Sequence, residues 1–159
     1  MVGRWRDTVI DLERKKDISL YYWLKDIVFP DATYITIQDG FPIATLTVPT
    51  ISIEGSIINL DPHEMGNKNR VYRRMWRIDV FADNKSQRDD YSYRILDNLQ
   101  DDVPVYDYDE GFPPTVTPTQ LGCLNIFNIN MTPIRIFPEL TKKLYFRASI
   151  TFSAEFNKF

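Results

Sequence analysis

Few residues in this chain have the type and spacing that a reaction needs. The single histidine, His63, lies in Asp61-Pro62-His63-Glu64. An imidazole beside carboxylates could bind a metal, but a zinc site takes three or four ligands and no second His exists. Asp-Pro with nearby Asn is turn chemistry, and the segment reads as a turn. Asp101, Asp102, Asp107, Asp109 and Glu110 gather around a short apolar run. Paired carboxylates can do acid–base work or hold divalent cations. The EF-hand spacing is missing, so a solvated acidic edge that discourages strand aggregation is the better reading. Cys123 has no partner for an internal disulfide and no His beside it. It reads as a buried, inert thiol in a reducing compartment. The chain has no nucleophile elbow, phosphate loop or His-Glu-x-x-His helix.

Lys68, Arg70, Arg73, Arg74 and Arg77 interleave with Tyr72 and Trp76. Basic residues alternating with aromatics can track a nucleic-acid backbone. In a strand, however, Arg73 and Arg77 point to one face and Arg74 to the other, so they do not make one groove. Ion pairs across a subunit seam are favoured instead. The expected interface set is Arg70, Arg73, Arg74 and Arg77, answered by Asp101, Asp102, Asp107 and Asp109 of a neighbouring copy.

The elements that must carry these residues are legible from periodicity. Residues 144–156 alternate strictly, with Phe146, Ala148, Ile150, Phe152 and Ala154 on one side and Arg147, Ser149, Thr151 and Ser153 on the other. This is a long strand with one buried face. Residues 71–82 read similarly, with Trp76, Ile78 and Val80 inward. A helix follows, with Ser86-Gln87-Arg88-Asp89 as a capping-box spacing and Tyr91, Ile95, Leu96 and Leu99 as its stripe. An earlier helix, capped by Asp17 or Ser19 and stopped by Pro30, carries Leu20, Trp23, Leu24, Ile27 and Val28. Strands are expected over 33–37, within 43–60 with a bulge at Gly55, over 103–108 and over 124–129, the last broken by Pro133. Loops are expected over 61–69 and 111–120. The predicted core is Trp23, Trp76, Ile78, Val80, Ile95, Leu99, Phe146, Ile150 and Phe152.

With 159 residues, 43% apolar, one domain can bury a core without metals or disulfides. The charge of −3, from 19 basic and 22 acidic residues, gives no global nucleic-acid footprint. Ten Phe, nine Tyr and three Trp exceed what a small core needs, so some are expected at interfaces. The first residues have no apolar core of a secretory signal, and no window is long and apolar enough for a membrane helix. The expected architecture is α+β: a mostly antiparallel twisted sheet covered by two helices, with a long C-terminal strand. Residues 1–17 are expected to form a charged arm ahead of one domain spanning 18–159.

The order of elements resembles the tail-terminator and head–tail joining proteins of tailed bacteriophages. The resemblance rests on a strand ending Ile78-Asp79-Val80-Phe81-Ala82, the polar link Asp83-Asn84-Lys85-Ser86-Gln87-Arg88-Asp89-Asp90, a helix ending Ile95-Leu96-Asp97-Asn98-Leu99, the short strand Val103-Pro104-Val105-Tyr106-Asp107-Tyr108, and the long last strand. It covers most of residues 18–159. It implies a structural virion protein without enzymatic activity or cofactor. That protein would form a homo-oligomeric, hexameric ring at the tail–neck junction, after folding in the host cytoplasm. Its partners would be copies of itself, the tail tube protein and a neck or connector protein. DNA would only pass through the lumen, and no membrane is involved. Another neck, tube or baseplate-linked protein, or a nucleic-acid-binding module using residues 70–77, is the alternative.

Overall fold

A computed structural model describes residues 9–30, 33–40, 48–62, 70–108, 117–135 and 146–158. Among the described residues six strands form one sheet: β1 (Thr36–Asp39), β2 (Thr50–Pro62), β3 (Arg70–Ala82), β4 (Val103–Tyr106), β5 (Gln120–Arg135) and β6 (Phe146–Lys158). Their spatial order is β1-β2-β3-β6-β5-β4. Among the described strands β1 and β2 run parallel, and every other pair is antiparallel. Helix α1 (Val9–Tyr22) continues as a π-helical turn through Trp23–Val28, and α2 (Lys85–Asn98) joins β3 to β4. Both helices cover the same sheet face, so the fold is α+β with one layer of helix on one layer of sheet. None of the described helices is long and apolar enough to cross a membrane.

The alternation in β6 appears directly as burial. Ala148, Ile150, Phe152 and Ala154 are buried, while Arg147, Ser149, Thr151 and Ser153 are half-buried. Trp76, Ile78 and Val80 of β3 stand opposite Phe152, Ile150 and Ala148 on the same face. Ile51 and Ile53 of β2 and Leu124 of β5 complete the row, and Trp23, Leu24, Ile95 and Leu99 close it from the helices. Trp76 and Phe152 stack at 5.9 Å between ring centroids. Phe146, at the end of its strand, is only half-buried.

Several local expectations shift, each for a physical reason. The first helix starts at Val9, so Asp17 and Ser19 lie inside it rather than capping it, and the boundary expected between residues 17 and 18 falls within α1. Its last turn widens to the π form, which moves Ile27 off the apolar stripe and leaves it 51% exposed. Helix α2 is capped by Asn84, not Ser86. The Asn84 side chain accepts from Gln87 N–H at 2.8 Å, and the Gln87 side chain accepts from Asp83 N–H at 2.8 Å. Strand β5 runs through Pro133 instead of ending before it. It pairs with β4 only over 120–124, so beyond Leu124 it has no second neighbour among the described strands, and an imino acid is tolerated there. A one-residue bulge between Phe127 and Asn130, with Asn128 at φ 54°, bends this strand. The expectations for residues 1–8, 43–47, His63, Glu64, Lys68, Asp109, Glu110, 111–116 and 136–145, and for the side chains of Asp61, Arg70 and Tyr72, lie outside the described residues.

Gly55 does mark a bulge, between Gly55 and Ile58. A Cβ there would lie 2.1 Å from Nη2 of Arg74. At Gly122 a Cβ would lie 2.1 Å from the backbone oxygen of Asn157 in β6. The first obstacle is a side-chain end and the second is backbone. Gly55→Ala should therefore destabilise by about 1–2 kcal/mol and Gly122→Ala by about 3 kcal/mol or more, measured as unfolding midpoints in denaturant. Equal effects would mean that Arg74 is held as rigidly as the ladder itself.

Candidate functional site

The face of the sheet that carries no helix holds the basic residues flagged in the sequence. Register puts Arg73 opposite Glu155, Met75 opposite Ser153, Arg77 opposite Thr151, Asp79 opposite Ser149 and Phe81 opposite Arg147. On the other side of β3, Glu54 stands opposite Arg77 and Ser52 opposite Asp79. Arg73 Nε donates to Glu155 Oε1. Asp79, only 2% exposed, accepts from Arg77 Nε at 2.9 Å and from Arg147 Nη2 at 3.0 Å. A buried carboxylate needs such compensation, and two guanidinium groups supply it. The Arg147 guanidinium also lies 5.2 Å over the Phe81 ring. This face is thus closed near Phe81, Asp79, Thr50 and Ser52, all buried, and half-open near Arg73, Met75 and Arg77.

Arg74 takes a different course. It points to the helix side, where its Nη1 meets Glu13 Oε2 at 3.1 Å and Asp17 Oδ1 at 3.0 Å. Its guanidinium lies 5.2 Å over the Trp76 ring, and Trp76 Nε1 donates to Asp17 Oδ1 at 2.9 Å. Glu13 also accepts from buried Lys16 at 2.7 Å. The missing side chain at Gly55 provides the space for this arginine. Burial raises the Asp17 carboxyl above its ordinary 3.8; the Trp76 hydrogen bond and Arg74 pull it back only in part.

The expected interface set is therefore divided. Arg73 and Arg77 share one face and are partly exposed. Arg74 is engaged inside the chain, and so is Asp107, which pairs with Lys15 at 2.9 Å. Asp101 and Asp102 are exposed at the start of β4. Asp102 accepts weakly from the Cys123 thiol at 3.9 Å. Cys123 is half-buried, not fully buried, and burial together with the Asp102 charge pushes its pKa up. No basic stripe forms among the described side chains, because opposite charges stand beside Arg73, Arg74 and Arg77. Among the described residues no group of His, Cys, Asp and Glu could hold a metal ion. The ion cluster under α1 escaped the sequence reading, because residues 9–17 look like a solvated face unless the arginine opposite them is known.

Many aromatics are used within the chain. Tyr22 stacks on Tyr108 at 5.4 Å, and Phe29 meets Tyr91 edge-on at 5.6 Å. Tyr34 and Tyr93 remain 64% and 58% exposed.

No family model matches the sequence, and no curated protein is matched in sequence. Among solved structures, the chain is similar to one from the virion of a native gene transfer agent particle. The two superpose with a TM-score of 0.50 at 11% identity, over 93% of this chain and 98% of the other. At that identity the likeness is one of fold.

Two measurements check the electrostatics. A carboxyl raised by folding favours the folded state in its protonated form, and that contribution is lost as pH rises through the folded pKa. Relative to Asp17→Asn, the unsubstituted chain should lose stability from about pH 4 upward and then level off. A gain over that window would show that Arg74 outweighs burial. The Cys123 thiol should alkylate more slowly at pH 8 than free cysteine, and Asp102→Asn should speed it severalfold. No change would remove the role of Asp102.

Proposed function

We propose that this chain is a structural protein of a tailed-phage-like virion: a tail terminator whose copies close a hexameric ring that ends the tail tube and joins it to the neck. The observation that carries this reading is the fold likeness to a gene transfer agent virion chain over nearly the whole length of both. One feature of the molecule supports it. Among the described strands the sheet keeps one half-open face and edges that a second copy can meet, at β1 and in β5 beyond Leu124.

In this reading the work is done by assembly. A ring occupies the last surface of the tube and offers a different surface to the neck. Arg73 and Arg77 sit where a neighbour's acidic residues can reach them, and Asp101 and Asp102 are available for the converse contact. The lumen has no need to grip DNA, and the mixed charge around Arg73 and Arg77 suits that. A nucleic-acid-binding module is disfavoured by the same mixture, since phosphate tracking requires uncompensated cations. Another neck, tube or baseplate-linked role would use the same fold and differs only in the layer occupied.

The double substitution Arg73→Ala with Arg77→Ala tests the interface. Asp79 keeps Arg147, so the monomer should stay folded by circular dichroism. Its assembly, read by light scattering alone and with tail tubes, should fall at least tenfold. A variant that assembles normally removes these residues from the seam. A variant that unfolds assigns them to the fold instead.

A further inference from the structure

Strand β4 ends the sheet order and, among the described strands, pairs with β5 alone. An open strand edge is a template for another chain, and covering it with a helix is one way to blunt it. Here the cover is α1. Pro104 has no N–H to offer, and Ser19 Oγ accepts from the Tyr106 N–H at 3.0 Å. Lys15 binds Asp107, just past the strand, at 2.9 Å. Further along the sheet Arg74 holds Glu13 and Asp17, Trp76 Nε1 donates to Asp17, and Lys16 lies 5.5 Å over the Phe156 ring.

The two halves of this helix are seated by different means. Over residues 9–19 the described side chains that are buried are Glu13, Lys15, Lys16, Ile18 and Ser19, and of these Ile18 alone is apolar. From residue 20 to residue 28 the buried ones are Leu20, Trp23, Leu24 and Val28, all apolar. The two kinds of seat differ in what opening costs. Exposing large apolar side chains forfeits their whole transfer free energy. Charges that separate into water regain hydration, which offsets much of the attraction they lose. A segment with few buried apolar contacts is where a fold opens first.

We propose that residues 9–19 form a latch over the β4 edge: they lift from the sheet as one unit while residues 20–28 stay seated. Arg74 is the keeper, because it ties two successive turns of the latch to β3. Opening returns the Tyr106 N–H and the Trp76 indole N–H to solvent together. The closed latch is an autoinhibitory contact on an edge that could otherwise take an added strand. The inference rests on contacts within one copy and does not need the ring.

Amide hydrogen exchange of the full chain, resolved by residue with NMR, tests it. Residues 13–19 are the ones to follow, because the first four N–H groups of a helix have no intrahelical partner. They should share one protection factor, about tenfold or more below that of residues 23–28 and of the β3–β6 ladder. The Tyr106 amide should exchange in step with them. Protection that climbs residue by residue from 13 to 19 is end fraying and overturns the proposal. So does a Tyr106 amide as protected as the ladder. Arg74→Met should lower protection over 13–19 and at Tyr106 by about a hundredfold while residues 23–28 keep theirs. Asp107→Asn, at a partly exposed position, should act on the same amides by a few-fold, and it serves where the arginine variant does not fold. A loss shared equally by residues 23–28 and the ladder overturns the latch, as does a folded variant of either kind that leaves residues 13–19 unchanged.

Discussion

The seating of α1 on the sheet depends on one half-buried arginine. Arg74 projects through the gap left by Gly55 and binds Glu13 and Asp17, two residues on successive turns of the helix. Around it, Lys16 neutralises Glu13, and Trp76 gives its ring face to the guanidinium and its N–H to Asp17. Buried charges are stable only when paired, and removing one partner typically costs about 3–5 kcal/mol. Pairing leaves little freedom in how the helix lies. An apolar stripe would tolerate rotation or sliding, whereas this arrangement fixes both. The position of the π-helical turn follows from that seating.

The same strand serves both sides of the sheet by strict alternation. Arg74 and Trp76 look toward the helices, and Arg73, Arg77 and Asp79 look away. The far face is not a bare surface. Asp79 binds two guanidinium groups, and Phe81 is closed over by Arg147. The portion near Arg73 and Arg77 stays half-open and carries both signs of charge. Such a surface favours specific register over tight nonspecific adhesion. It fits the proposed function, in which the chain meets copies of itself in one geometry.

Much of the sheet was legible because period-two alternation survives wherever one face is buried. Strands β3 and β6 and the Gly55 bulge are the clearest cases. Helix α2 was legible from its stripe, though its cap was misplaced because Asn84 and Gln87 form a box that Ser86 and Asp89 only imitate in spacing. The extent of α1 was hidden. Glu13, Lys15 and Lys16 belong to the buried side of a helix only because Arg74, Asp107 and Phe156 face them, and no local pattern announces partners so distant in sequence. Pro133 misled for a related reason: a proline argues against a strand only when both edges are paired. The interface set drew Arg74 and Asp107 into a seam on charge alone, and charge does not reveal whether a partner already exists within the chain.

In the proposed function, copies of this fold close a ring at the end of a tail. Electron cryomicroscopy of the particle that carries the chain tests it most directly. The account predicts density for a closed ring at the tail–neck junction, with each subunit touching two others of its own kind. Copies that sit singly, contacting only other proteins, would contradict it.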